Sequence, residues 1–123
     1  RWKEIMRRGR LKYYHKNRER LVAEASARLS IKWKEVKAET MAALGGVCAC
    51  CGTSESGFLT VDHINGDGAA HRESLGKGRR TASWAVYRDI KRQGWPRDKY
   101  RVLCMNCNWA TRLGGICPHQ LVG

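Results

Sequence analysis

No stretch of this chain runs to about 18 apolar residues, so the sequence holds no candidate transmembrane helix. Nor does an apolar segment follow its basic start. Trp2 to Lys16 is broken by charge throughout, so no secretory signal is expected. Phenylalanine occurs once, and hydrophobic residues make up 42% of 123 positions. A large aromatic core is therefore not expected, and one modest domain of this size calls for a staple. Acid is also scarce: 11 Asp and Glu stand against 24 Lys and Arg, a formal charge of +13. Such a field attracts polyanions. Nucleic acid is the first partner to consider and an anionic membrane surface the second. The first residue is Arg1 rather than Met, so residues upstream are expected.

Charge divides the chain unevenly. Residues 1–40 carry a net +8 and no cysteine, whereas residues 41–123 carry +5 and all six cysteines. We expect a basic helical arm over 1–43 and a compact module over 44–123. Within the arm, Asn17 can cap a helix bearing Leu21, Ala25 and Leu29. Ser30 can cap a second, with Trp33, Val36 and Met41 inward, ending at Gly45-Gly46. One continuous helix with a bend fits equally. Arg7, Arg8, Arg10 and Lys12 precede Tyr13-Tyr14, a mixture suited to phosphate contact and base stacking or, alternatively, to a solvated helix face.

Cys48-x-x-Cys51 and Cys104-x-x-Cys107 are two knuckles of the same spacing. Two intervening residues let both thiolates of a knuckle reach one ion, and two knuckles complete a tetrahedral zinc shell. Disulfides are the competing reading, disfavoured on a basic chain without a secretory signal. Cys50 and Cys117 remain and are read as buried or free thiols, because Cys117 and His119 alone would be two ligands and not a site. A zinc held by four thiolates has no open position, so any chemistry lies elsewhere. Asp62 and His63 end a β-rich run, Phe58 to Val61, and Asn108 follows the last knuckle cysteine at the start of a helical stretch. If strand and helix pack together, a carboxylate and an amide oxygen can converge on a hard cation such as Mg²⁺ beside an imidazole base.

These residues in this order, Cys-x-x-Cys, Val61-Asp62-His63-Ile64-Asn65 and Cys-x-x-Cys-Asn108, resemble the HNH nucleases of the His-Me finger (ββα-metal) group. The zinc-bound phage-type members and the recombination endonuclease VII group are the pattern met, over roughly residues 44–113. The resemblance implies an α+β fold, a small zinc-stabilised ββα-metal module, with strands near Leu59–Val61 and Tyr100–Leu103 and a helix near Cys107–Leu113. It implies a DNA endonuclease in which His63 is the general base and Asp62 and Asn108 hold one catalytic Mg²⁺ or Mn²⁺. Cys48, Cys51, Cys104 and Cys107 would hold structural Zn²⁺, and the products would carry a 5′-phosphate and a 3′-hydroxyl. DNA is then the partner and a membrane is not. A two-fold substrate would favour a homodimer, and the protein would be intracellular, in a bacterial cytoplasm if phage-encoded.

Two departures from the pattern stand out. Where many HNH sequences place an Asn at the opening of the second strand, this chain has Lys99, so Asn65, Asn106 or a backbone carbonyl must hold His63. An insert of about 68–97 lengthens the module and carries Arg72, Lys77, Arg79 and Arg80, candidates for DNA contact or a solvated elaboration. His71 follows the Gly-rich loop and is a further candidate for the site, against the plain reading of a surface histidine. For Asp62 and Asn108 the plain readings are a turn carboxylate and a helix N-cap. Two other functions compete: a zinc module that binds nucleic acid without catalysis, Lys99 marking a decayed site, and a structural protein of an RNA–protein particle.

Overall fold

A computed structural model of the protein describes residues 1–76 and 82–121, with the backbone alone at 113 and 114. The candidate DNA-contact residues Lys77, Arg79 and Arg80 lie outside the described residues. The described residues are α+β: four α-helices, two short 3₁₀ turns and one two-stranded antiparallel sheet. No helix among them is long and apolar enough to cross a membrane.

Helix α1 (Trp2–Ala43) is a single continuous element. Its composition explains this: Ala, Glu, Lys, Arg and Leu dominate, all strong helix formers, and no proline interrupts them. At 1.5 Å per residue it is about 63 Å long. The two-helix alternative fails at Asn17. Its side chain does not cap; Nδ2 donates to the carbonyl of Tyr13 one turn back, at 2.9 Å. Residues Arg1–Lys34 form a unit of their own, in which Trp2, Ile5, Leu11, Val22, Leu29 and Ile31 are exposed.

The second unit, Glu35–Gly123, begins with the last turns of the same helix. The helix stops where Gly46 N–H reaches back to the Met41 carbonyl at 2.8 Å, with Gly45 and Gly46 at φ 113° and 73°. Only glycine takes such angles without cost, which is why the pair ends the helix.

Strand β1 (Leu59–His63) pairs with β2 (Tyr100–Cys104) in the register Leu59↔Cys104, Val61↔Val102, Asp62↔Arg101 and His63↔Tyr100. A bare ribbon would expose the outward backbone groups of both strands, a poor arrangement unless they are covered. Here Tyr87 takes the N–H of Val61 on its hydroxyl at 3.1 Å, and Ala49 N–H donates to the Val102 carbonyl at 2.8 Å. Helix α2 (Gly68–Ser74) and helix α3 (Ser83–Arg92) lie in the insert, and helix α4 (Met105–Gly114) follows β2 directly.

Helix α3 is not a solvated elaboration. Its Val86, Tyr87 and Ile90 fall on one face and are buried with Leu59, Val102 and Leu103. Each such side chain contributes about 1.5–3 kcal/mol by leaving water, an upper figure because the unfolded chain already buries some of it. Trp84 on the same helix is exposed and stacks under Arg88. Met41 and Leu44 at the end of α1 are also buried, and the one buried polar residue among those described, Thr40, accepts a hydrogen bond from Trp95 Nε1 at 3.2 Å. A fully buried hydroxyl needs such a partner.

Candidate functional site

The sulfurs of Cys48, Cys51, Cys104 and Cys107 lie within 4.8 Å of one another, close enough to share a metal ion such as zinc. Cys51 Sγ and Cys104 Sγ are 3.8 Å apart. The edge of a tetrahedron with zinc–sulfur bonds of about 2.3 Å is about 3.8 Å, so the spacing suits that ion. Each knuckle supplies a backbone donor to its own first sulfur. Cys51 N–H points to Cys48 Sγ at 3.5 Å, and Cys107 N–H to Cys104 Sγ at 3.4 Å. Gly52, at φ 78°, closes the first turn. Burial works to raise the Cys48 thiol, but the backbone N–H groups of Cys51, Cys104 and Cys50 outweigh it and bring the pKa down to about 6, toward the thiolate a metal requires. Cys104 is the N-cap of α4 and Cys107 lies in its first turn. The helix's positive end therefore also faces this cluster.

The histidine site is built by four elements. His63 ends β1 and meets Tyr100 across the ribbon, ring edge to face at 5.2 Å. His71 is carried by α2, whose first residue, Gly68, leaves open the space beside His63; a Cβ there would lie 3.2 Å from Nδ1. Asp89 comes from the middle of α3. His63 Nε2 is 2.8 Å from His71 Nδ1, and His71 Nε2 is 2.8 Å from Asp89 Oδ2. Gln93 also donates to Oδ2 of Asp89 at 2.9 Å and bonds the Tyr100 hydroxyl at 3.0 Å. The His71 hydrogen bond holds Asp89 below its usual carboxylate pKa, so it is ionised near neutrality.

That carboxylate sets the direction of the relay. An ionised Asp only accepts, so His71 carries a proton on Nε2, and the neutral ring in that tautomer presents a bare Nδ1. His63 must then donate from Nε2, and a neutral His63 has its lone pair on Nδ1, beside Gly68. Burial lowers the His63 pKa below its usual 6.5 and favours that neutral form. The side chain of Lys99 is exposed, its carbonyl accepting from Ile64 N–H at 2.9 Å. The His63 ring is hydrogen-bonded by His71, where Asn65, Asn106 or a carbonyl was expected.

The other expected site residues are more dispersed. Side chains on a strand alternate, so Asp62 lies on the face opposite His63. Its Oδ2 accepts from Arg101 Nε at 2.7 Å. Asn108 is half-buried on α4, past the helix start at Met105, and so is not an N-cap. Among the described residues, Asp62 belongs to no close group of three or more His, Cys, Asp or Glu side chains. Arg72 on α2 is half-buried and near enough to act on the charge of His63. On α1, Arg7 and Arg8 both bind Glu4 at 2.9 Å. Trp109 is exposed, with the Arg112 guanidinium 5.6 Å over its ring.

Two features were missed in the sequence. Asp89 sits 18 residues beyond His71 on another helix, with no local signal. The sulfurs of Cys50 and Cys117, read as buried or free thiols, lie with Cys107 Sγ and a ring nitrogen of His119 within 4.8 Å of one another. The signal available was Cys117-Pro118-His119, which needed Cys50 and Cys107 brought to it. Comparison of the chain with protein-family models, with curated proteins and with solved structures gave no match.

Proposed function

We propose that the chain is a metal-dependent DNA endonuclease of the HNH, His-Me finger type, with the order β1, β2, α4 as its ββα unit and a structural zinc at Cys48, Cys51, Cys104 and Cys107. The observation that carries this reading is the His63–His71–Asp89 relay, which leaves His63 with a lone pair on Nδ1 at the end of β1. His63 takes a proton from water at Nδ1 as the water oxygen bonds to phosphorus. The bond from phosphorus to the 3′-oxygen breaks, and that oxygen takes a proton from solvent. A 5′-phosphate and a 3′-hydroxyl result. His71 keeps the His63 ring in place through Nε2, and Asp89 fixes the tautomer of both rings; these two are positioning residues. The donor set of Asp62 and Asn108, one carboxylate and one amide, fits a hard Mg²⁺ or Mn²⁺, which when bound would supply positive charge to the phosphate. Arg101 holds Oδ2 of Asp62 and must yield that oxygen to a cation. The formal charge of +13 suits a polyanionic substrate.

The same Asp62–Arg101 pair favours a second reading, a zinc module that binds nucleic acid without cutting it, since a carboxylate already neutralised by a guanidinium serves architecture as well as catalysis. Cleavage of supercoiled plasmid separates the two. Wild-type protein and His63→Ala, at matched zinc content, are assayed with Mg²⁺, Mn²⁺ or EDTA. Nicked or linear product from wild type alone, abolished by EDTA, is the outcome expected. Binding by both proteins with cleavage by neither, on duplex and branched DNA alike, leaves the binding module.

A further inference from the structure

We infer that the protein holds a second zinc ion, in a site formed by Cys50, Cys107, Cys117 and His119, and that Cys107 bridges it to the first. The donor atoms of these four residues lie within 4.8 Å of one another, as do those of the knuckle set, and Cys107 is common to both. His119 Nδ1 is 3.3 Å from Cys107 Sγ, 3.3 Å from Cys117 Sγ and 4.0 Å from Cys50 Sγ. For zinc with sulfur at about 2.3 Å and nitrogen at about 2.05 Å, a tetrahedral edge between them is about 3.6 Å. The three distances bracket that value.

Local structure explains how these donors meet. Cys117 is the N-cap of the 3₁₀ turn Pro118–Gln120, which places His119 two residues on, with its ring nitrogen against the sulfur of Cys117. Within the Cys48-Ala49-Cys50-Cys51 turn, Cys48 and Cys51 serve the first cluster, while Cys50 lies on the side of the C-terminal turn, 69 residues away in sequence. Gln120 Nε2 donates to Cys50 Sγ at 3.2 Å, a contact that suits a thiolate. Cys107 and Cys117 are buried and Cys50 is partly buried, so three sulfurs and an imidazole nitrogen converge at the edge of the core. A thiolate sulfur has lone pairs enough for two ions, and Cys107, in the first turn of α4, lies at the positive end of that helix. Three thiolates and one imidazole are a soft set that selects zinc over Mg²⁺ or Ca²⁺. The second ion ties the 3₁₀ turn at 118–120 to the first knuckle.

The test is metal stoichiometry and connectivity on the full chain. Native mass spectrometry of zinc-loaded wild type is expected to give two zinc ions per chain. Cys50→Ser, Cys117→Ser and His119→Ala are each expected to give one, with an unchanged far-UV circular dichroism spectrum. Cys107→Ser is expected to impair both sites and to fold poorly, so it is not the deciding variant. The ¹¹³Cd-substituted wild type decides instead: two resonances, one of a four-sulfur site and one of a three-sulfur, one-nitrogen site, each split by coupling to the other through the shared sulfur. A single metal ion in wild type would overturn the second site, as would two ions retained in His119→Ala and Cys117→Ser together. Two uncoupled resonances would overturn the bridge.

Discussion

Replacing Asp89 by Asn tests the relay at its anchor. The wild-type carboxylate accepts a charge-assisted hydrogen bond from His71 Nε2 at 2.8 Å, and its side chain is about one-fifth exposed. Such bonds contribute about 1.5–3 kcal/mol, against about 0.5–1.5 kcal/mol for a neutral one. The amide of Asn can still accept from His71, so the fold and ring positions persist while the preference for one tautomer weakens. The difference, about 1–2 kcal/mol, corresponds to about 5- to 30-fold in the ratio of the two His63 tautomers. Long-range ¹H–¹⁵N correlation spectra of the histidine rings read this directly. In wild type, His71 and His63 are both expected as Nε2–H tautomers, and in Asp89→Asn the His63 signals are expected to shift toward a mixture. Under the nuclease reading, plasmid cleavage falls in proportion to the fraction of His63 that keeps a bare Nδ1, while DNA affinity stays unchanged. A wild-type spectrum with His63 protonated on Nδ1 would refute the relay, whatever the cleavage assay gave.

Four further outcomes are expected. Ile90→Ala, at a fully buried core position on α3, should cost about 2–5 kcal/mol in denaturant unfolding at fixed zinc; a loss near zero would mean that α3 is not part of the core. Gly68→Ala puts a methyl 3.2 Å from His63 Nδ1, and displacement on that scale should slow cleavage about tenfold or more without weakening DNA binding; an unchanged rate would show that this side of the ring is not used. Stripping metal with a chelator should abolish the cooperative thermal transition of the 35–123 unit, and zinc alone should restore it; a metal-free protein that melts as before would make the cysteines ordinary thiols. Finally, Ala at Arg7, Arg8, Arg10 and Lys12 together should lower the salt dependence of DNA binding by about 0.9 for each phosphate no longer neutralised. The decrease should be about 1.8 if Arg7 and Arg8 stay with Glu4 and about 3.6 if all four reach phosphate; no change would remove the arm from the interface.

What could be read along the chain was whatever short spacing encodes. Two Cys-x-x-Cys knuckles bring their own sulfurs together because the turn between them is local, and the strand ending at His63 and the helix after Cys104 follow from side-chain pattern and turn residues. Long-range encounters left no such trace. Asn17 and Ser30 resemble helix caps by residue type, but nothing around them breaks a run of strong helix formers, and α1 continues through both. The insert reads as a basic elaboration because its charges are conspicuous, whereas Val86, Tyr87 and Ile90 are buried and the Tyr87 hydroxyl bonds strand β1, which only the packed structure displays. That packing then carries Asp89 to His71, and His71 to His63 in place of the expected asparagine. Cys50, Cys117 and His119 are ordinary singly and become a ligand set only when the chain's last turn returns to the first knuckle. Residue type and local spacing thus determined which groups are able to do chemistry. Tertiary packing decided which of them meet, because hydrogen bonds and metal ligation act over about 3 Å whatever the separation in sequence.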